Sequence, residues 1–322
     1  MIKRIIAQFI FNRYLNSRPE SFLGKVYKKI FYITRNALIR FIDPAIKYKF
    51  AGTDISLPFS HNLPVHKKVF PSYDENIGRL ASLIKEKYND LKMIDIGANV
   101  GDTAVMIKSK ADIPILCIEG EEKFISLLHT NTKNFQNILI EESFVGDEKF
   151  IKGNYTYSKG SGRIVESESQ SGIYLKTLQQ ILSNHPEFLK SKLLKIDTDG
   201  FDCRIIKNEI GLLTEMKPVI FFEYDPYLHN KAKEDGLSVF DLLLKAGYNK
   251  GVFYINTGDY LLTTELNNKN LLADLHYYFS GRRTELYCDI AVFHNEDNDL
   301  ANKLREKEIQ YFSHIRNYDI VK

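Results

Sequence analysis

The chain of 322 residues predicts an α/β fold built on a mostly parallel sheet, and three observations predict it. From Leu91 onward, short apolar runs alternate with stretches of helical period, the pattern of strands joined by crossover helices. The first run ends in a glycine turn, Gly97-Ala98-Asn99-Val100-Gly101, that opens a helical stretch. The next run ends in an acid, Glu119, where a second strand would stop.

Strands are expected at Leu91 to Ile96, Ile115 to Glu119, Ile138 to Val145, Leu193 to Thr198 and Val219 to Tyr224. Helices are expected to start near Gly101, Glu121, Thr177 and Phe201, with another from Ser238 to Ala246. Gly251 to Ile255 and Asp289 to Phe293 would close the sheet as an antiparallel pair. The segment between them, including Leu266 to Phe279, is a candidate cap, and a charged helix from about Asp299 to Ile315 would end the sequence.

Ahead of this region the first 50 residues read as helical, with Ile30, Ile33, Ala37, Leu38 and Phe41 on a 3.6-residue period. They hold 11 Lys and Arg against Glu20 and Asp43, so this arm carries +9 and the rest of the chain −6 of a total of +3. Packing of the stripe on the domain or a second subunit is the first expectation. Contact with anionic lipid headgroups is the second and nucleic acid the last, because the remainder is acidic and no nucleic-acid motif is visible. From about Lys49 to Tyr73 the Pro- and His-rich LPFSHNLPVHKKVFPSYD argues for an extended connector rather than a helix. Helical spacing resumes from Gly78 to Tyr88.

Composition is that of an ordinary globular protein without repeats. Cys117, Cys203 and Cys288 are far apart and odd in number, so core thiols are expected rather than a disulfide framework, a metal site or a nucleophile. The eight histidines form no HExxH or paired His/Cys spacing, so no metal is expected. No apolar run approaches the roughly 20 residues of a membrane span. A cytoplasmic protein is expected, with peripheral contact at the inner membrane face a role for residues 1–50.

In an open α/β sheet the ligand lies beyond the carboxyl ends of the strands, where the order reverses. Gly97 and Gly101 are spaced GxxxG, not the GxGxxG that brings a backbone against a pyrophosphate. The turn therefore suits a nucleoside without a pyrophosphate. Asp95 is placed to order the turn and to meet an ammonium, Glu119 to accept both ribose hydroxyls, and Ser143 or Phe144 to lie near the base. Asn99 and Gly120 complete this set. A plain strand-to-helix connection is the alternative for the turn taken alone, and a nicotinamide-dependent oxidoreductase is the alternative for the acid, since such a site uses one too.

The segments MIDIGANVGDT at 93 to 103, ILCIEG at 115 to 120, ESFVGD at 142 to 147, LLKIDTDGFDCRIIKN at 193 to 208 and KPVIFFEYD at 217 to 225 resemble the FkbM-type methyltransferases, in that family's order, across roughly residues 70 to 295. The resemblance implies a class I methyltransferase-like Rossmann fold: a seven-stranded, mostly parallel sheet with an antiparallel last strand, here preceded by a helical arm. It implies S-adenosylmethionine as methyl donor and transfer to a hydroxyl oxygen, often on a sugar or natural-product scaffold. The organisation expected is an arm at 1–50, a connector, lid and helix at 51–90, a methyltransferase domain at 91–295 and a terminal helix at 296–322. Two positions depart from the family pattern: Asp199 stands where Glu is general, and Gly120 where Pro often follows the acid.

Methyl transfer to a hydroxyl needs alignment and a base near the departing proton. Asp197, ending the fourth strand, is the first candidate and Glu223 on the fifth the second. Lys195, two residues before Asp197, shares its strand face and would pair with it. Lys195, Asp199 and His61 are candidates for binding the acceptor; a family-like lid would carry His61 and His66 over the donor pocket and bring Tyr73 and Asp74 to the methionine end, with an ordinary packed connector as the alternative. Set against these, Asp197, Asp199 and Gly200 would also serve as the turn and cap of the next helix. YTYSKGSGR at 155 to 163 is either an acceptor loop or a hairpin turn. A donor- or membrane-binding protein without catalysis is the remaining alternative.

Overall fold

The computed structural model describes residues 2–18, 20–147, 149–158, 161–166, 172–231, 235–281 and 286–316. Helices α1 (Ile2–Asn16) and α2 (Phe22–Ile39) lead into a hairpin of β1 (Ala45–Phe50) and β2 (Thr53–Pro58), followed by α3 (Leu63–Val69) and α4 (Glu75–Lys87). The sheet region then runs β3 (Met93–Ile96), α5 (Asp102–Lys110), β4 (Ile115–Glu119), α6 (Glu122–Thr132), β5 (Ile138–Glu142) and β6 (Phe144–Val145). Next come β7 (Lys149–Ser158), β8 (Ser161–Glu166), β9 (Gly172–Lys176), α7 (Leu178–Asn184), β10 (Leu193–Ile196), α8 (Asp202–Asn208), α9 (Ile210–Met216) and β11 (Val219–Tyr224). The remainder is α10 (Pro226–Lys231), α11 (Ser238–Lys245), β12 (Tyr248–Ile255), β13 (Tyr260–Glu265), α12 (Lys269–Ser280), β14 (Cys288–His294) and α13 (Asn298–Arg316).

The described residues form an eight-stranded sheet in the order β13-β12-β14-β11-β10-β3-β4-β5. Pairings from β5 through β11 are parallel, whereas β14 runs antiparallel to both β11 and β12. This is the class I methyltransferase-like Rossmann arrangement the sequence predicts, widened by one strand, β13, beyond the seven expected. The segment expected as a cap holds both β13, which joins the sheet edge instead, and α12. Succession turns outward in both directions from the β3–β10 contact, so the ligand-binding crevice of an open sheet falls at their carboxyl ends.

Period-two alternation sorts each strand between two cores. Ile94, Ile96, Leu116, Ile118, Leu194, Ile196, Ile220 and Phe222 pack on one face with Leu178, Cys203, Ile206 and Leu243 from the helices. Met93, Ile115, Cys117, Leu193, Val219, Phe221, Val252 and Phe293 pack on the other with Leu80, Ile84, Ile107 and Leu304. The three cysteines are buried and form no disulfide. Thr177 caps α7 by a reciprocal capping box with Gln180, which is why that helix starts where the sequence signals it.

Three local expectations are corrected. The first 50 residues are not helical throughout, because Ala45–Phe50 pairs with Thr53–Pro58 as a hairpin. The connector is not extended throughout: Pro64 sits in the first turn of α3, where its missing N–H is no loss. The expected strand from Ile138 to Val145 breaks at Ser143, and the short piece after it joins β9 in a separate sheet, β6-β9-β7-β8. The two sides of the YTYSKGSGR stretch, in β7 and β8, pair antiparallel, while residues 159 and 160 lie outside the described residues.

A third core joins the arm to the domain through Ala7, Phe11, Tyr14, Phe31, Ile46, Leu57, Val100, Val105 and Phe124. Asn131 of α6 fastens this junction: its Oδ1 accepts the Ser56 N–H at 2.7 Å, and its Nδ2 donates to Ser56 O at 2.9 Å and Val100 O at 2.8 Å. Thus β2 and the glycine turn after β3 hang on one side chain. No helix among the described residues is long and apolar enough to cross a membrane.

Candidate active site

At the switch point the chain ends of β3 and β10 touch. Gly97 holds φ at +79°, and a Cβ there would lie 2.0 Å from the carbonyl oxygen of Asp197. Glycine is required by both the left-handed backbone and the absence of space. The turn is stitched to the next strand by the N–H groups of Gly97 and Ala98, which donate to Ile118 O at 3.0 and 3.1 Å.

Two adjoining cavities open over this point. One, of about 640 Å³, is lined by Gly97, Asn99, Glu119, Gly120, Ser143 and Phe144, and floored by Ile96, Ile118 and Leu175. The other, of about 800 Å³, is bounded by His61, Tyr73, Asp74, Asp102, Lys195, Glu223 and Tyr287. Gly97, Asn99, Asp197 and Asp199 line both, so the two form one cleft with an apolar and a polar half.

In the apolar half Glu119 is buried, with Oε1 accepting the N–H groups of Gly120 and Glu121 at 2.9 and 2.8 Å and Oε2 accepting that of Asn99 at 2.8 Å. Burial raises its pKa and these donors lower it. Oε1 is filled by its two donors, and Oε2, with one, has a lone pair left for a ligand hydroxyl. Gly120 lies under the Phe144 ring, where an added Cβ would come within 2.3 Å of the ring carbon Cγ. The departure from Pro at this position therefore has a physical cause.

In the polar half, register sets the charges. Asp95 and Lys195 are paired positions on β3 and β10, as are Glu223 and Asp289 on β11 and β14, so each pair projects to one face. Lys195 Nζ lies 3.0 Å from Asp197 Oδ2 and 3.4 Å from Asp95 Oδ1. Burial would lower the Lys195 pKa, yet Asp197 and Asp95 hold it well above the usual lysine range. Glu223 Oε1 has no hydrogen-bond partner among the described residues, and burial with the neighbouring carboxylates drives its pKa well up. Burial likewise raises Asp74 and Asp102, and lifts Asp289 to about 7. Burial lowers His61 to about 4, and its Nδ1 accepts the Leu63 N–H at 3.2 Å. The ring is therefore neutral at pH 7 with its proton on Nε2.

The cleft brings together Asp197, Glu223, Gly97, Asn99, Glu119, Gly120, Ser143, Lys195, Asp199 and His61. It does not bring in Asp95 or Gly101, which line neither cavity. Asp95 is fully buried beneath the turn and balances Lys195. Gly101, at φ +83°, lets α5 approach α6, since a Cβ would lie 2.7 Å from Leu128 Cδ1. The turn after β10 is organised by Asp202 as well: its carboxylate accepts from Thr198 N, Thr198 Oγ1 and Gly200 N at 3.2 to 3.3 Å. Asp199 holds φ at +52°, a conformation for which a short Asp is better suited than a longer side chain. Asp102 and Tyr287 were not anticipated. Asp102 had a signal, as the acid opening a helix after the glycine turn, but Tyr287, ahead of an antiparallel strand, had none. Among the described residues, no group of three or more His, Cys, Asp or Glu is arranged to hold a metal ion.

No family model and no curated protein matches the chain. Solved structures similar to it are the METTL16 MTase domain, at 12% identity and TM-score 0.45 over 91% of each chain, and a precorrin-6y C5,15-methyltransferase from Geobacter metallireducens GS-15, at 13% and 0.34 over 63% of this chain and 80% of that one. Methyltransferase FkbM from Methylobacillus flagellatus KT is similar at 16% identity and TM-score 0.34, with 51% of this chain and 40% of that one covered. The tie to the FkbM-type family accordingly rests on the sequence motifs.

Proposed function

We propose that this chain is an S-adenosylmethionine-dependent methyltransferase that acts on a hydroxyl oxygen of a sugar or related glycan precursor. The observation that carries the reading is the single cleft whose apolar half is built for a nucleoside and whose polar half, sharing Gly97, Asn99, Asp197 and Asp199, is built for a hydrogen-bonding acceptor. The donor fits the residues present: Glu119 Oε2 has a lone pair left for a ribose hydroxyl, Phe144 offers a ring face, and Asp102 supplies negative charge for an ammonium. Bound there, S-adenosylmethionine supplies an electrophilic methyl group on a positively charged sulfur.

The chain's own part is alignment and proton handling. Asp197, hydrogen-bonded to Lys195, accepts the acceptor hydroxyl's hydrogen bond and then its proton. Lys195 steadies that carboxylate from below. Glu223, whose raised pKa favours the protonated acid, donates to a second acceptor oxygen and takes over as base when deprotonated. His61 and Tyr287 add hydrogen-bonding groups, which suits a polyhydroxylated molecule. A polyanionic acceptor is disfavoured at a rim where Asp74, Asp102, Asp197, Asp199 and Glu223 face one ammonium group.

The test is ligand-induced stabilisation followed by turnover. S-adenosylmethionine or its demethylated product at 100 times Kd raises stability by about 2.7 kcal/mol, and Glu119→Ala abolishes most of that shift. Asp197→Asn retains the shift and lowers methyl transfer to glycan precursors by 10²-fold or more, the usual worth of a positioned base. Stabilisation by NADH but not by the sulfonium donor would replace this reading with that of an oxidoreductase.

A further inference from the structure

We propose that the outer face of α1 and α2 docks on an anionic membrane surface. Of the apolar period that the sequence places in this arm, Ile30, Ile33, Ala37 and Phe41 are exposed, while Leu38 packs on the third core. Phe22, Val26, Ile30 and Ile33 fall within about 80° of one another around α2 at 100° per residue. Gly24, Phe31 and Arg35, the buried residues of that helix, lie on the opposite side. The stripe is open to solvent, with Phe22 80% and Ile33 59% exposed. On α1 the buried side is Ala7, Phe11 and Tyr14, and Ile5, Ile6 and Phe9 point away from it, Phe9 being 59% exposed. Phe41, just after α2, is 83% exposed.

Such apolar faces on two adjacent helices exceed the scattered exposed residues of an ordinary surface and mark an interaction site. Charge selects the occupant. Lys3, Arg4, Arg13, Lys25, Lys28, Lys29 and Arg40 are all exposed on these helices and their ends, while Glu20 is the one exposed acid among the described residues 2–41. Bulky apolar side chains bordered by Lys and Arg on a helix too polar to span a bilayer are the composition of an interfacial helix on anionic lipid. A nonpolar protein partner would not call for the cations, and a polyanion would not call for the Phe and Ile side chains.

Arg35 links the docked face to the cleft. From the inner side of α2, Arg35 donates to Phe59 O at 3.1 Å, to Ser60 O, and to Asn62 Oδ1 at 2.7 Å. His61 and Asn62 in that segment line the polar cavity. An acceptor carried by a lipid anchor is the substrate class this connection suits; that class rests on the methyl-transfer reading, and the docking itself does not.

The full chain is tested by co-sedimentation with vesicles of phosphatidylcholine alone and with added phosphatidylglycerol. Binding is expected to the anionic vesicles only, weakening as salt is raised. Replacing Lys25, Lys28 and Lys29 by Ser lowers partitioning on the order of 100-fold, at roughly fivefold per cation. The triple change Phe9→Ser, Phe22→Ser and Ile33→Ser also lowers it by at least about tenfold. Both sets are exposed, and an unchanged circular dichroism spectrum and donor-induced melting shift establish that the variants fold. Absence of vesicle binding, or equal binding to both vesicle types, overturns the proposal. So does a dimer in solution that the apolar variants dissociate without any lipid binding. Failure of the donor shift with vesicle binding retained would refute the catalytic reading and leave the docking surface in place.

Discussion

Substituting Gly120 by Ala should destabilise the protein, and removing the Phe144 ring should reverse the sign of that effect. A Cβ at residue 120 would lie 2.3, 2.4 and 2.5 Å from Phe144 Cγ, Cδ2 and Cδ1, the atoms nearest the Phe backbone and so the least able to swing aside. Overpacking of this kind costs about 1–3 kcal/mol. The φ of Gly120 is not in the left-handed region, so with the obstacle gone Ala is sterically allowed. It then stabilises by about 0.4–1 kcal/mol by restricting the unfolded chain. The four proteins of the cycle, wild type, Gly120→Ala, Phe144→Ala and the double variant, are compared by urea denaturation. The expected coupling is about 1–3 kcal/mol, the clash alone, because the restriction of the unfolded chain is the same in both backgrounds and cancels in the cycle. Additive effects within about 0.5 kcal/mol would refute the argument that the ring excludes a side chain at this position.

Three other perturbations test different parts of the molecule. Arg79 Nε and Nη2 make a forked pair with the fully buried carboxylate of Glu308 at 2.8 and 2.7 Å, joining α4 to α13. Arg79→Met should lower unfolding free energy by about 3–5 kcal/mol, because it leaves a buried charge without its partner; a loss under about 1 kcal/mol in chemical denaturation would show the pair to be dispensable. Lys195→Met should destabilise to a similar degree, about 3–5 kcal/mol, by stranding Asp95, and Asp95→Asn introduced alongside should recover part of the loss. His229 is fully buried, neither ring nitrogen has a hydrogen-bond partner among the described residues, and burial depresses its pKa from 6.5 to about 4. Between those values the unfolded chain binds a proton that the folded chain refuses, so stability falls as pH drops from 6.5 to 4 and changes no further below. The effect is about 3 kcal/mol at most, and His229→Leu should flatten that part of the stability–pH curve; an unaltered slope would contradict the assignment.

Much of the fold was legible because its periodicities are strong. Strands from Ile115, Leu193 and Val219, and helices capped near Thr177 and Gly101, stand where apolar runs and cap residues put them. The glycine turn was legible for a steric reason that acts locally, the need for φ near +80°, although its second cause, the Asp197 carbonyl 2.0 Å from the missing Cβ, comes from a strand 100 residues away. The hairpin of Ala45–Phe50 with Thr53–Pro58 was hidden because its two-residue turn puts Ala51, a residue that does not favour it, at φ +47° ahead of Gly52 at +83°. The strand β13 was hidden because an edge strand need only match β12 on one side.

By itself the sequence determined the residue types at the strand ends: Glu119, Asp197 and Glu223 follow from apolar runs that stop at acids. Tertiary structure alone decided which of those acids share a cleft, and which merely support it. Asp95 looked like a ligand contact because it precedes the glycine turn, but register with Lys195 turns it into a buried counter-charge. The same holds for the arm. Its helical period and its +9 charge are properties of the chain, while the side on which Phe22, Val26, Ile30 and Ile33 lie is settled by Phe31 and Arg35, whose burial against the domain rotates the other stripe into solvent. Periodicity specifies that a helix has a face; only the partner it packs against specifies where that face points.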